Sequence, residues 1–226
     1  MAKKVINETK AVSTINVDEL STKLEGFSNV EEMKKWAETI IESGLLPTSI
    51  TEPEQVITLV QTGKELGLTP LTALNNLHVI AGRPVISSSM LGALLKRRNI
   101  EWIIEEDFAR VTHGEGDEAS VDRRTTYKFF WKSKVTEKVM EATHSVSWRQ
   151  LEIAGYTEKQ NYSKYPKEMM RARCLSSAVR ALFPEVLMGL YSDIELNDIP
   201  GAENYDVAIT EEGDATLIIN PEIKQD

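Results

Sequence analysis

Apolar positions recur with two different periods along the chain, and the switch between them predicts the order of elements. Val30, Met33, Trp36, Ile40 and Ile41 repeat at helical spacing behind a Ser28/Glu31 capping box and stop at Gly44. Thr51 and Glu54 offer a second capping box. The face that follows carries Val56, Ile57, Leu59, Val60, Gly63 and Leu66 and ends at Gly67. Pro70 suits the first position of a new helix, so a short helical piece is expected around Leu71 to Leu77. Leu77 to Val79 and Arg83 to Ile86 flank Ala81-Gly82, a tight-hairpin pattern with a weaker turn signal than Asn-Gly. Ser87 to Ser89 then supply an N-cap for a helix bearing Met90, Leu91, Leu94 and Leu95.

After Asn99 the period changes to two. Three extended segments, Glu101 to Thr112, about Ala119 to Trp131 and about Glu137 to Trp148, read as an antiparallel meander. Pro166 opens the last strong helix, which carries Met169, Met170, Cys174, Leu175, Ala178, Val179, Leu182 and Phe183 before Pro184 ends it. The expected fold class is therefore α+β, with helices packed around a small antiparallel sheet made of a hairpin and a three-stranded meander. One domain is expected over residues 28–196. A polar, flexible arm (1–27) precedes it, and an acidic, disordered tail (197–226) follows, with Ala215 to Ile219 as a short interaction segment.

Charge sharpens this picture. The formal charge of −9 argues against a nucleic-acid binder. From Glu185 onward, however, eleven acidic residues face only Lys224, which leaves the rest of the 226-residue chain at +1. No apolar run is long enough to span a bilayer, and Met1-Ala2-Lys3-Lys4 leads into a polar segment, so a soluble, cytoplasmic protein is expected. One cysteine (Cys174) and three scattered histidines (His78, His113, His144) offer neither a disulfide nor metal-ligand spacing, and no cofactor is expected. A Gly-x4-Gly-Lys-Ser/Thr phosphate loop is missing, which disfavours an ATP-driven motor. Glu105, Glu106 and Asp107 are adjacent, but strand alternation scatters their side chains over both faces, a poor start for a metal-dependent nuclease.

The stretch Lys164-Tyr165-Pro166-Lys167-Glu168-Met169-Met170-Arg171-Ala172-Arg173, followed by Ala181-Leu182-Phe183-Pro184 and Gly189-Leu190-Tyr191-Ser192-Asp193, resembles the closing motif of the RecT/Redβ family of phage single-strand annealing proteins. Gly67-Leu68-Thr69-Pro70 and the basic-aromatic strand Thr126 to Lys134 fall in the expected order, so the resemblance spans roughly Pro47 to Glu195. The chain departs from the family at Ala73 and Glu168, where basic residues occur in members, and this leaves affinity and DNA path open.

The resemblance implies ATP-independent single-stranded DNA binding and annealing of complementary strands, by a homo-oligomeric ring or helical filament. It implies no nuclease or ATPase activity. A phage exonuclease and a host single-strand-binding protein are the implied partners. Lys167, Arg173 and Arg180 occupy positions of DNA-contacting residues in the family.

The residues themselves add to this list. A cation at Lys167, in the first turn of a helix, is mildly unfavourable for the dipole unless an anion offsets it, whether a phosphate or a neighbouring carboxylate. Arg173 and Arg180 share a face well away from Lys167 and Arg171, so the helix makes no single basic stripe, and Arg171 reads equally as a salt-bridge residue. Lys164 lies just ahead of the helix. On the strand, Tyr127, Phe129 and Trp131 form one face and Lys128, Phe130, Lys132 and Lys134 the other, where lysines could follow a DNA backbone while Phe130 offers a stacking ring. A solvated lysine edge explains the same pattern. Lys96-Arg97-Arg98 complements a helix C-terminus without any ligand, and Arg83 and Lys64 are secondary candidates. Two other functions fit the same residues: an interaction protein of this fold that recruits an exonuclease or a single-strand-binding protein, and a small metal-dependent nuclease.

Overall fold

The computed structural model describes residues 30–114, 120–198, 205–209 and 215–219. The expected arm and Ser28 lie outside the described residues. The fold is α+β, with eight α-helices and two three-stranded sheets among the described residues. In chain order the first elements are α1 (Val30–Glu42), α2 (Pro53–Glu65), α3 (Pro70–Asn76), β1 (Leu77–Ile80), β2 (Arg83–Ile86) and α4 (Ser88–Arg97). The meander β3 (Ile100–His113), β4 (Ser120–Lys132) and β5 (Val139–Ser147) follows. Then come α5 (Trp148–Ile153), α6 (Gln160–Lys164), α7 (Pro166–Leu182), α8 (Pro184–Leu187) and β6 (Tyr191–Ser192). No described helix is long and apolar enough to cross a membrane.

The cap of α2 is one residue later than the Thr51/Glu54 pattern predicts. Pro53 takes the first helical position, where its missing N–H costs nothing, so Glu52 becomes the N-cap. The Gln55 side chain then accepts from the backbone N–H of Thr51 (2.9 Å) and Glu52 (3.2 Å). Further along α2, Gly63 is needed for packing: a Cβ there would lie 2.2 Å from the Cβ of Ala73 on α3.

The β1–β2 hairpin closes through Ala81 (φ 48°) and Gly82 (φ 72°), the paired positive φ angles of a type I′ turn. Alanine is strained in that region and asparagine much less so. Ala81→Asn is expected to raise the unfolding free energy by about 0.5–1 kcal/mol. Urea unfolding would read this, and an unchanged or lower midpoint would contradict the turn type.

β4 is the centre of the meander, hydrogen-bonded to β3 and β5 on either side. Alternation holds along it: Tyr127 and Phe129 are buried and Trp131 half-buried, while Lys128, Phe130 and Lys132 line the opposite face. The buried face packs on α7, whose Met169, Met170, Cys174, Ala178 and Val179 are fully or almost fully inaccessible. Burial pushes the Cys174 thiol up to about 12, as expected of a core cysteine.

Four features depart from the sequence reading. The third extended segment ends as expected, but an unanticipated helix, α5, follows it directly because Ser147 and Gln150 form a capping box. β6 adds to β2 in parallel, Val85 opposite Tyr191 and Ile86 opposite Ser192, which makes the hairpin part of a second three-stranded sheet. Part of the stretch expected to be disordered forms an antiparallel pair, β7 (Tyr205–Ile209) with β8 (Ala215–Ile219). Finally, β3 is not regular. Between Ile104 and Ala109 its pairing with β4 shifts twice, at Glu106 and again before Ala109, and Phe108 has φ 55°.

Candidate nucleic-acid interface

The double irregularity in β3 decides where its acidic run points. Glu106 comes beside Arg124 of β4, which donates through Nε and one terminal nitrogen at 2.6 Å each. Asp107 instead reaches α7. Its Oδ1 accepts from Arg171 Nε at 2.7 Å, its Oδ2 from the Arg171 terminal nitrogen, and Lys167 Nζ lies 2.9 Å from the same Oδ2. The Arg171 fork, aided by Lys167, holds the Asp107 carboxyl well below its ordinary 3.8, at about 2. The offsetting anion for Lys167 is therefore a carboxylate of the chain itself.

Arg173 and Arg180, on the other flank of α7, also face inward partners. Arg173 donates to the Tyr156 hydroxyl (2.7 Å) and the Ile194 carbonyl (3.1 Å). Arg180 forks onto Glu195 (2.7 and 2.8 Å), donates to the Leu190 carbonyl (3.0 Å) and stacks over the Tyr191 ring at 4.8 Å. Glu195 in turn accepts from the Ser192 amide (3.0 Å) and hydroxyl (2.8 Å). The Gly189-to-Asp193 exit is thus an internal clamp on α7. Sequence reasoning left Glu195 out, although it sits two residues beyond the exit motif and is the nearest acid after Asp193.

Asp193 completes the clamp at a distance. Its carboxylate accepts from the Ser88 amide (2.8 Å) and the Ile194 amide (2.7 Å), so it caps the N-terminus of α4. Burial pushes this carboxyl up to about 6 from 3.8. A raised folded-state value means that its contribution to stability is fully present below about pH 4 and is lost as pH rises through about 6. Asp107 has the opposite sign, its contribution being lost as pH falls from about 4 to about 2. Asp193→Asn keeps the acceptor for both amides without the buried charge. It is expected to flatten the stability profile between pH 4 and 6 and to add on the order of 1–2 kcal/mol at pH 8. Urea unfolding across that range checks this, and an unchanged slope would contradict it.

On the outer face of β4, Lys128 pairs with Glu141 (3.1 Å) and lies over the Phe130 ring (5.4 Å), while Lys132 is 3.5 Å from Glu137. Lys164 is exposed at the end of α6, two residues ahead of α7, and Arg83 is exposed on the hairpin of the second sheet.

Cations do converge at one end of the meander. The register places Ile100 opposite Trp131, so the Arg97-Arg98 end of α4 comes beside the Trp131-to-Lys134 end of β4. Between them, closed by Leu182 and Phe183 at the end of α7, lies a groove of about 570 Å³. Arg97, Arg98, Lys132 and Lys134 line it, against a single acid, Glu185. Arg97 also donates to the Gly67 carbonyl, whereas Arg98 and Lys134 are exposed and make no ion pair among the described residues. Trp131 stands in the wall, edge-on to Phe183 at 5.1 Å. A second groove, of about 480 Å³ at the opposite end of β4, balances Arg123 and Arg149 with Asp122 and Glu152.

Sequence reading placed Lys128, Lys132 and Lys134 together on one strand face and treated Lys96-Arg97-Arg98 as a helix end. The missed signal is that a short link between that helix end and the first meander strand forces the basic run beside the far end of the second. No known protein family, curated protein or solved structure matches the chain.

Proposed function

We propose that this chain binds single-stranded DNA and promotes annealing of complementary strands without ATP, as in phage-type homologous recombination. The observation that carries the reading is the groove in which Arg97, Arg98, Lys132 and Lys134 meet Trp131. Arg98 and Lys134, which make no ion pair among the described residues, retain their full attraction for phosphate, Lys132 exchanges Glu137 for it, and the Trp131 ring in the wall is the aromatic group against which an unpaired base stacks. The groove is small, so affinity per subunit is modest. A homo-oligomeric ring or filament that lines up many such grooves supplies the strength through multivalency. Nothing in this mechanism breaks a covalent bond: the protein neutralises phosphates and holds a strand open to its complement.

The second reading is a recruitment protein of the same fold. It is favoured by the ion pairing of Lys128, Lys132, Lys167, Arg171 and Arg180 with acids of the chain. Annealing of two labelled complementary oligonucleotides, without ATP and over a range of salt, separates the two. Acceleration that weakens with salt, with a log–log slope of about −3 for four phosphate contacts, is expected for the annealing protein. No acceleration at any salt would favour recruitment of an exonuclease or a single-strand-binding protein.

A further inference from the structure

We infer that Lys167 and Arg171 form a second phosphodiester-binding site, and that Asp107 occupies it as an internal competitor which DNA must displace. The inference rests on the DNA-binding reading above and adds a site and a control to it.

The geometry supports this in three ways. First, Arg171 grips both oxygens of Asp107, through Nε and through a terminal nitrogen. The two non-bridging oxygens of a phosphodiester present a similar spacing and the same charge, so the fork that fits one fits the other. Second, the site is within reach of solvent: the side chains of Lys167 and Arg171 are 44% and 36% exposed. Asp107 itself is 29% exposed, whereas the carboxylate that Arg180 grips is only 5% exposed. Third, Asp107 is delivered by an irregular piece of an edge strand. The ladder is interrupted between Glu106 and Ala109, so Asp107 is not held by a regular cross-strand pair and can turn away without unzipping the sheet. Lys164, exposed and without an ion pair among the described residues, adds a third cation near the start of α7, and Glu168 is the remaining acid that acts on Arg171.

A competitor of this kind makes a prediction opposite to that of a structural salt bridge. Removing its charge frees two cations and tightens DNA binding, whereas removing a merely structural acid loosens α7 and weakens it. The test measures the affinity of the full chain for a labelled oligothymidine by fluorescence anisotropy at fixed salt, with folding of each variant checked by circular dichroism. Asp107→Asn is expected to bind roughly three- to tenfold more tightly than the wild type. Asp107→Ser removes the same charge and stands in should the asparagine variant not fold. Glu105→Gln, an exposed acid two residues away, controls for net charge and is expected to change little. The gain is expected to vanish in Asp107→Asn combined with Arg171→Ala.

Equal or weaker binding by the folded Asp107 variants overturns the inference, as does an equal gain from Glu105→Gln. In either case, wild-type binding that is lost on reversing Arg98 and Lys134 leaves the DNA-binding reading standing. Absence of binding by the wild type and by every variant sinks both.

Discussion

Arg180→Ala is expected to lower the unfolding free energy by about 3 kcal/mol, at the lower end of what breaking a buried ion pair costs. The Glu195 side chain is 5% exposed and receives both arms of the Arg180 fork. Without them it keeps only the amide and hydroxyl of Ser192, an incomplete set for a carboxylate out of water. The Leu190 carbonyl loses its donor as well. Arg180→Lys is expected to fall between, because an ammonium restores the charge but not the planar fork. Urea unfolding at neutral pH measures both, and a loss below about 1 kcal/mol for the alanine variant would show that the clamp is not holding the helix. Any fall in DNA binding on replacing Arg180 has to be read beside this stability.

Reversing both open cations of the groove, Arg98→Glu with Lys134→Glu, is expected to weaken oligothymidine binding on the order of 100-fold near 0.1 M salt. It should also make the log–log salt dependence shallower by about 1.4, two phosphate contacts at about 0.7 each on a single strand. Neither side chain has an ion-pair partner among the described residues, so stability should stay within about 0.5 kcal/mol of wild type. The contrast with Arg180 is the informative part: one substitution acts on the fold, the other on the surface. Unchanged affinity with an intact fold would remove the groove from the DNA path.

Which parts of this arrangement could be seen in the sequence follows from the range over which each is determined. The faces of β4 were legible because Tyr127, Phe129 and Trp131 alternate with lysines over a single strand. α7 was legible because Pro166 and Pro184 bracket a continuous helical period. The separation of Arg173 and Arg180 from Lys167 and Arg171 is likewise a matter of helical angle alone. Asp107 was not legible in the same way. Strict alternation scatters Glu105, Glu106 and Asp107, and only the two irregularities in pairing deliver Glu106 to Arg124 and Asp107 to Arg171. Those irregularities depend on a partner strand, not on local composition. The four groove cations come from α4 and β4, about 35 positions apart in the chain, and meet through the register of the meander. β6 escaped notice because two residues carry no period.

The cap on α4 ties the groove to the order in which the chain is made. The Ser88 amide and the carboxylate that receives it are 105 residues apart. On the ribosome, the helix that ends in Arg97 and Arg98 therefore emerges long before its cap exists. Closing so long a loop loses entropy before the contact rewards it, so this cap is expected to form late in folding. The groove walls are all present once Glu185 has been made, but the helix that carries Arg97 and Arg98 is capped only when β6 docks beside β2 and brings up Asp193. A proteolytic cut between α8 and β6 should, by the same coupling, loosen Arg97 and Arg98 at the other end of α4, well before it melts the meander.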